Sequence, residues 1–251
     1  MKKEAIIMAM PVKINVIDSQ VKDEDIEDIF TYLRNMDEKF STFKETSETK
    51  RINQGELFEE NYSKEMKKVL ALCEQTKKET NGYFDPFIKG KFDPAGIVKG
   101  LAIYESSKIL RQKGLKNFYI EIAGDIQVNG KNEKNEKWKI GIENPFNRKE
   151  IIKVAELSDR GIATSGTYIN GKHIFDPVNQ KDADDIVSIT VIGPNVYEAD
   201  RFATAAFAMG QAGIKFLEDK SGLEGYMITK DKKAYCTTNF NQYLAKQRIT
   251  C

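Results

Sequence analysis

Apolar residues recur along this chain at two spacings, and the switch between them divides it into helical and extended stretches. After Asp23, residues Ile26, Ile29, Phe30, Leu33, Met36 and Phe40 fall three or four apart, which predicts a helix with one buried face. A second helix is predicted from about Ser63, with Met66, Val69, Leu70 and Cys73 on its apolar side, ending before Asn81-Gly82. A third runs from about Gly96 to Gly114. In the fourth, EADRFATAAFAMG at 198–210, Phe202, Ala203, Ala206, Phe207 and Met209 form the apolar side and Gly210 is the stop.

The other regular stretches read as strands. The opening AIIMAMPVKINVID is β-rich, and its VKINV portion alternates as a half-buried strand does. NFYIEIA, DIQVNG, KWKIGIEN, IIKVAEL and DIVSITVIG follow with turn signals among them, and EGYMITKDKKAYCTT reads as a hairpin around Lys230, Asp231 and Lys232. KNEKNEKWK at 131–139 mixes Asn with both charges and reads as a solvated hairpin tip. Strands and helices mix without a regular βαβ alternation. That favours an α+β fold with mixed, largely antiparallel sheets and packed helices over a doubly wound one. The length of 251 residues suits one domain spanning 1–251.

Composition narrows the partners. Lys+Arg 39 against Asp+Glu 38 gives a net charge of +1, spread along the chain, which offers no electrostatic reason to expect nucleic acid. Cys73, Cys236 and Cys251 are far apart with no CxxC, so reduced thiols are expected rather than a zinc cluster or a disulfide framework. The apolar N-terminal stretch is broken by Glu4, Pro11 and Lys13, no lipid-accepting cysteine lies near, and no segment approaches the length of a membrane span. A cytoplasmic protein without membrane insertion is expected. G-x-G-x-x-G, Walker A and G-x-S-x-G signatures are absent from the sequence.

The candidate chemistry begins with Asp200 and Thr204, one helical turn apart, so that both oxygens point the same way. Such a pair either serves the helix itself or, with phosphate oxygens to complete the shell, holds a hard cation such as Mg²⁺. GYFDPF at 82–87, FDPAGIVKG at 92–100 and HIFDP at 173–177 each contain Asp-Pro, which favours turns and fixes a carboxylate on a rigid loop. Gly96 allows close backbone approach where a helix offers free N–H groups, and Lys99 in its first turn is misplaced for the dipole unless an anion binds. Thr164, Ser165 and Gly166 in GIATSG make a second candidate phosphate contact, through hydroxyls and exposed N–H groups. His173 is the single histidine, the residue type whose ordinary pKa lies near neutrality and which suits the activation of a hydroxyl.

AMPVKINV, FSTFKETSETKRIN, GYFDPF, FDPAGIVKG, EIAGDIQVNG, GIATSGTY, HIFDP and VSITVIGPNVYEADRFATAAFAMG occur in an order that resembles the ApbE-type FAD:protein FMN transferases over nearly the whole chain. The resemblance implies a T-fold-like α+β architecture. It also implies an enzyme that takes FAD with Mg²⁺, cleaves the diphosphate, releases AMP and joins FMN to a Thr or Ser hydroxyl of a target flavoprotein. Carried over, the metal ligands are Asp200, Thr204 and a backbone carbonyl of the Ala95-Gly96 turn. FAD contacts are Met10, Phe43, Tyr83, Phe84, Asp85, Asp93, Lys99 and Phe175, with Thr164, Ser165 and Gly166 nearby. His173 is similar to the histidine proposed to activate the acceptor hydroxyl, and Asp200 is the second catalytic candidate.

The chain departs from the family pattern in three places. Phe43 stands where many members carry Tyr, only IKGK separates FDPF from FDPAG where many have a long insertion, and the signal or lipobox of secreted members is absent. The alternatives weighed against transfer are a Mg²⁺-dependent FAD pyrophosphatase and a non-catalytic FAD-binding protein.

Overall fold

The structure is a computed structural model that describes residues 1–167 and 174–245. The β-rich opening is two strands, β1 (Lys2–Ile7) and β2 (Met10–Val16), joined by a tight turn in which Met8 and Ala9 both take φ 56. Three helices follow: α1 (Asp23–Phe40), the short α2 (Glu48–Asn53) and α3 (Lys64–Glu79). The little hairpin β3 (Phe87–Ile88) and β4 (Lys91–Phe92) leads into α4 (Ala95–Gln112).

Next come β5 (Phe118–Ile122), β6 (Asp125–Asn129), β7 (Trp138–Asn144), β8 (Asn147–Leu157) and β9 (Arg160–Gly166). Beyond residues 168–173 lie β10 (Phe175–Asp176), β11 (Lys181–Asp182) and β12 (Ile186–Gly193). The chain continues through α5 (Val196–Ala208), α6 (Ala212–Glu218), β13 (Glu224–Thr229) and β14 (Ala234–Cys236).

Among the described residues, eight strands form one sheet in the order β1-β2-β5-β6-β9-β12-β13-β14. Each neighbouring pair in it is antiparallel, as the lack of βαβ alternation predicts. One face carries the helices. The apolar faces of α1, α3 and α4 meet Val12, Ile14, Phe118 and Ile120, and α5 and α6 meet Ile189, Val191 and Met227. On the other face, the separate β7/β8 hairpin covers Ile126, Val128, Ile162, Ile192 and Ile228 with Trp138, Ile140, Ile142 and Leu157. The result is an α+β layering with largely antiparallel sheet.

Two expectations need correction. The 131–137 segment is no hairpin tip between paired strands: β6 stays in the large sheet while β7 pairs with β8, so the segment passes between sheets. GIATSG, expected to expose its N–H groups, is strand β9, paired with β6 on one side and β12 on the other. Its small residues are needed because the start of α5 lies against it; a Cβ on Gly161 would stand 1.9 Å from the Val196 nitrogen. The Val196 N–H donates to Gln127 Oε1 at 2.9 Å, which pins that helix start to β6.

Helix α4 crosses α5 just as closely. A Cβ on Gly100 would stand 2.8 Å from the Asp200 Cβ and 3.1 Å from the Tyr197 Cα; on Gly96 it would stand 3.4 Å from the Thr204 Cγ2. Glycines four apart on one helix thus meet Asp200 and Thr204 four apart on the other. The far side of α5 is tied to α3 by buried Arg201, which donates to Glu198 at 2.6 Å, to Thr76 at 3.3 Å and, most closely, to Glu79. The position of Asp200 is therefore set by packing on both sides of its helix.

Candidate active site

The start of α4 is built by the FDPAG segment. Asn53 acts as a surrogate strand for it: its Nδ2 donates to the Phe92 carbonyl at 2.8 Å and its Oδ1 accepts from the Phe92 N–H at 2.7 Å. Asp93 Oδ1 then accepts the Ala95 N–H at 2.9 Å, fixing the bend into the helix. The other two Asp-Pro pairs work alike. Asp85 accepts from Phe87 N–H at 2.9 Å, and Asp176 from Val178 N–H at 3.0 Å. Each Asp-Pro is a local turn first, and all three also line a common cleft, two through Asp85 and Asp93 and the third through Pro177.

That cleft, about 270 Å³, gathers segments distant in sequence. Met10 lines it from β2, and Tyr83, Phe84, Asp85 and Asp93 from the turns before α4. Ala95, Gly96 and Lys99 come from the first turns of α4, Thr164, Ser165 and Gly166 from the end of β9, Phe175 from β10, and Asp200 and Thr204 from α5. Phe43 does not join them: it stands 88% exposed on the turn after α1. A side chain on that bend has no packing to draw it toward the cleft. His173 lies outside the described residues.

The electrostatic centre is a triad that sequence reasoning only partly found. Asp200 is 4% exposed, its Oδ2 accepts the Gly100 N–H at 2.9 Å, and its Oδ1 lies 3.8 Å from Lys99 Nζ. Lys99 Nζ is 2.6 Å from Oδ2 of Asp125, a buried residue whose Oδ1 accepts the Thr164 N–H at 3.1 Å. Two readings change as a result. Lys99 is a counter-ion to two carboxylates rather than a free cation awaiting an anion, and the Thr164 N–H is already committed. The Thr164 hydroxyl meets that of Thr190 at 2.9 Å.

Asp125 was the missed residue. Its sequence signals are a carboxylate opening the strand DIQVN and its place inside the motif EIAGDIQVNG. Burial above all pushes the Asp200 carboxyl up to about 7, with Asp125 adding to the rise while Lys99 and the Gly100 N–H oppose it. Burial works against the Lys99 ammonium, but Asp125 and Asp200 outweigh it and hold its pKa above the ordinary value.

The donor set fits a hard cation. Two carboxyl groups face one ammonium, and a cation at Asp200 would favour the ionised form that burial disfavours. Asp200 Oδ1 and Thr204 Oγ1 are oxygen donors on the cleft wall, next to the Ala95-Gly96 backbone. Among the described residues no group of three or more His, Cys, Asp and Glu is placed to hold a metal, so outside oxygens would have to complete an octahedron. Among the same residues no helix is long and apolar enough to cross a membrane.

Comparison with known proteins places these features in a wider set. Residues 8–91 and 89–227 match the model of the ApbE family. An FAD:protein FMN transferase of Escherichia coli strain K12 is 27% identical over 169 residues, 62% of this chain and 48% of that protein. One from Vibrio cholerae is 29% identical over 167 residues, 61% of this chain and 50% of that protein. The chain thus spans about half the length of the curated relatives it matches. The fold is that of the crystal structure of the ApbE protein from Thermotoga maritima, with TM-score 0.87 at 21% identity over 98% of this chain and 99% of that one. The flavin transferase ApbE from Vibrio cholerae gives TM-score 0.84 at 23% identity over 97% and 99%.

Proposed function

The chain belongs to the ApbE family, and on that premise we propose that it transfers FMN from FAD to a Thr or Ser hydroxyl of a target flavoprotein, releasing AMP. The observation that carries this reading is the convergence, on one cleft, of aromatic and thioether surfaces, oxygen donors and the Lys99 cluster. Met10, Tyr83 and Phe175 offer flat contacts for the ring systems of a dinucleotide, and Phe84 backs them from the core. Asp85 and Asp93 face the same space with lone pairs for ring or ribose donors. The Ser165 and Thr164 end of β9 and the first turn of α4 border the place of the diphosphate.

In the reaction, the acceptor oxygen forms a bond to the FMN phosphorus and the bond from that phosphorus to the bridging oxygen breaks. AMP leaves with that oxygen, and the acceptor's proton passes to a base, the role assigned to His173. Asp200, Thr204 and a carbonyl of the Ala95-Gly96 turn would hold Mg²⁺. When bound, that ion supplies charge neutralisation on the diphosphate and on the departing AMP. Lys99, fixed by Asp125, keeps the Asp200 carboxylate oriented. The location proposed is the cytoplasm.

Incubation with FAD, Mg²⁺ and a candidate acceptor gives a flavin-labelled protein and an equivalent of AMP. AMP and free FMN with no labelled acceptor would make the protein a pyrophosphatase instead, and FAD that stays intact with Mg²⁺ present would make it a binding protein.

A further inference from the structure

A second cleft of about 570 Å³ shares Ala123 and Thr164 with the first. Its floor and its wall are built differently. Pro11 and Lys13 of β2, Tyr119 and Glu121 of β5, and Ile162 and Thr164 of β9 contribute alternate residues, so the floor is a face of the large sheet. The wall is Lys139, Ile140, Gly141, Ile142 and Glu143, five consecutive residues of β7. Successive side chains on a strand point to opposite faces, so a wall lined by every residue of a run presents the strand's edge.

That edge carries no strand among the described residues. The β7/β8 sheet has two strands, and the far side of β8 is already met by the tail of the domain, with Ala155 bridged to Leu244 and the Ala245 N–H donating to the Val154 carbonyl. The charges around the cleft are largely matched in place: Lys13 with Glu121 at 3.2 Å and Arg148 with Glu143 at 2.9 Å. An occupant is thus selected by backbone pairing and by apolar contact with half-exposed Ile151, above the buried Ile126, Ile140, Ile142 and Ile162, rather than by its charge.

We infer that this cleft receives an extended segment of the acceptor protein, added as a strand to the free edge of β7 so that its hydroxyl residue reaches the flavin cleft past Ala123 and Thr164. The inference rests on the transfer reading. A transferase must hold its second substrate beside the first, and this groove runs into the same wall. Edge addition also suits an acceptor recognised in an unfolded or loop segment, since main-chain hydrogen bonds supply affinity and alternate side chains supply selectivity.

The test uses the whole protein with FAD and Mg²⁺, and as probe a capped peptide of about ten alternating threonine and valine residues, long enough to pair along a strand. The structural variant is Lys13→Trp, which fills the floor from an exposed position outside the flavin cleft. Wild-type protein labels the peptide with flavin, and the peptide slows hydrogen exchange at residues 139–143. Lys13→Trp lowers peptide labelling at least about tenfold while FAD binding and peptide-independent FAD cleavage stay within about twofold. Equal labelling by the variant, or labelling without protection of 139–143, would overturn the groove alone, whereas FAD cleavage with neither label nor protection would make the protein a pyrophosphatase and overturn the reading on which the groove depends. Protection of 139–143 that grows with protein concentration and without peptide would assign the edge to a second copy. Failure of wild-type protein to bind or cleave FAD would instead overturn the reading on which the groove depends.

Discussion

The main-chain N–H of Gly100 donates to Oδ2 of Asp200 at 2.9 Å, and a methyl group at Gly100 would stand 2.8 Å from the Asp200 Cβ. The bond and the close approach are one fact: α4 can reach the carboxylate with its backbone only because that position has no side chain. A side chain there, even the smallest, has to move the residue on which the candidate metal site depends.

Gly100→Ala should therefore be destabilising although it lies inside a helix, where alanine ordinarily gains about 1 kcal/mol over glycine. Overpacking costs about 1–3 kcal/mol, and the atoms in the way are a Cβ and the Tyr197 Cα rather than a flexible tip. A lower melting temperature with weakened Mg²⁺-dependent FAD binding is expected in thermal unfolding and titration. A raised melting temperature with unchanged binding would contradict the packing account.

Asp200→Asn separates structure from chemistry. The amide oxygen still accepts from Gly100, so circular dichroism and melting should stay close to the parent protein. The carboxylate offered to a cation is gone, and Mg²⁺-dependent turnover should fall by at least about 100-fold. Unchanged turnover at limiting Mg²⁺ would remove Asp200 from the metal site.

These two positions show what the sequence made legible. Helical spacing placed α1 and α3 because each buries one stripe, α4 and α5 are buried on more than one side and were bounded mainly by their glycines, and Asp200 and Thr204 could be paired because four residues apart means one helical turn. The partner of Lys99 was not legible: Asp125 reaches it through the packing of β6 beneath α4, which no local spacing encodes. Strand β9 hid in GIATSG because contact with α5 requires small residues there, and small residues carry no apolar–polar alternation. The departure of β7 and β8 from the large sheet was equally silent, since alternation is the same whichever partner a strand chooses. Phe43 was placed by resemblance alone, and the fold leaves it at the surface, outside the cleft.

Gly161→Ala should be far harsher than Gly100→Ala. Here the obstructing atoms are main-chain, the Val196 nitrogen at 1.9 Å and the Asn195 carbonyl carbon at 2.2 Å, so relief requires lifting α5 off the sheet. A loss of more than about 3 kcal/mol is expected, read as a large drop in urea midpoint or as insoluble protein. Its control is Gly161→Ser, which must fail at least as badly; a stable Gly161→Ala protein would mean that α5 does not rest on β9 as described.

Asp18, just past β2, accepts N–H groups from Lys116 at 2.9 Å and Asn117 at 2.7 Å, and the Asn117 amide at 3.0 Å, closing the connection between α4 and β5. Burial pushes its carboxyl upward, but those donors outweigh burial and hold it below the ordinary value of 3.8. A carboxyl whose folded pKa is depressed adds stability above its unfolded pKa, and that contribution disappears as pH falls through the folded value. Asp18→Ala should thus cost about 1 kcal/mol near neutrality, the low end for bonds to a charged group because water screens the site. The gap in melting temperature between the two proteins should hold down to about pH 5 and narrow below about pH 4. A gap that widens on acidification would reverse the sign of the linkage and exclude the ionised carboxylate as the group that holds Lys116 and Asn117.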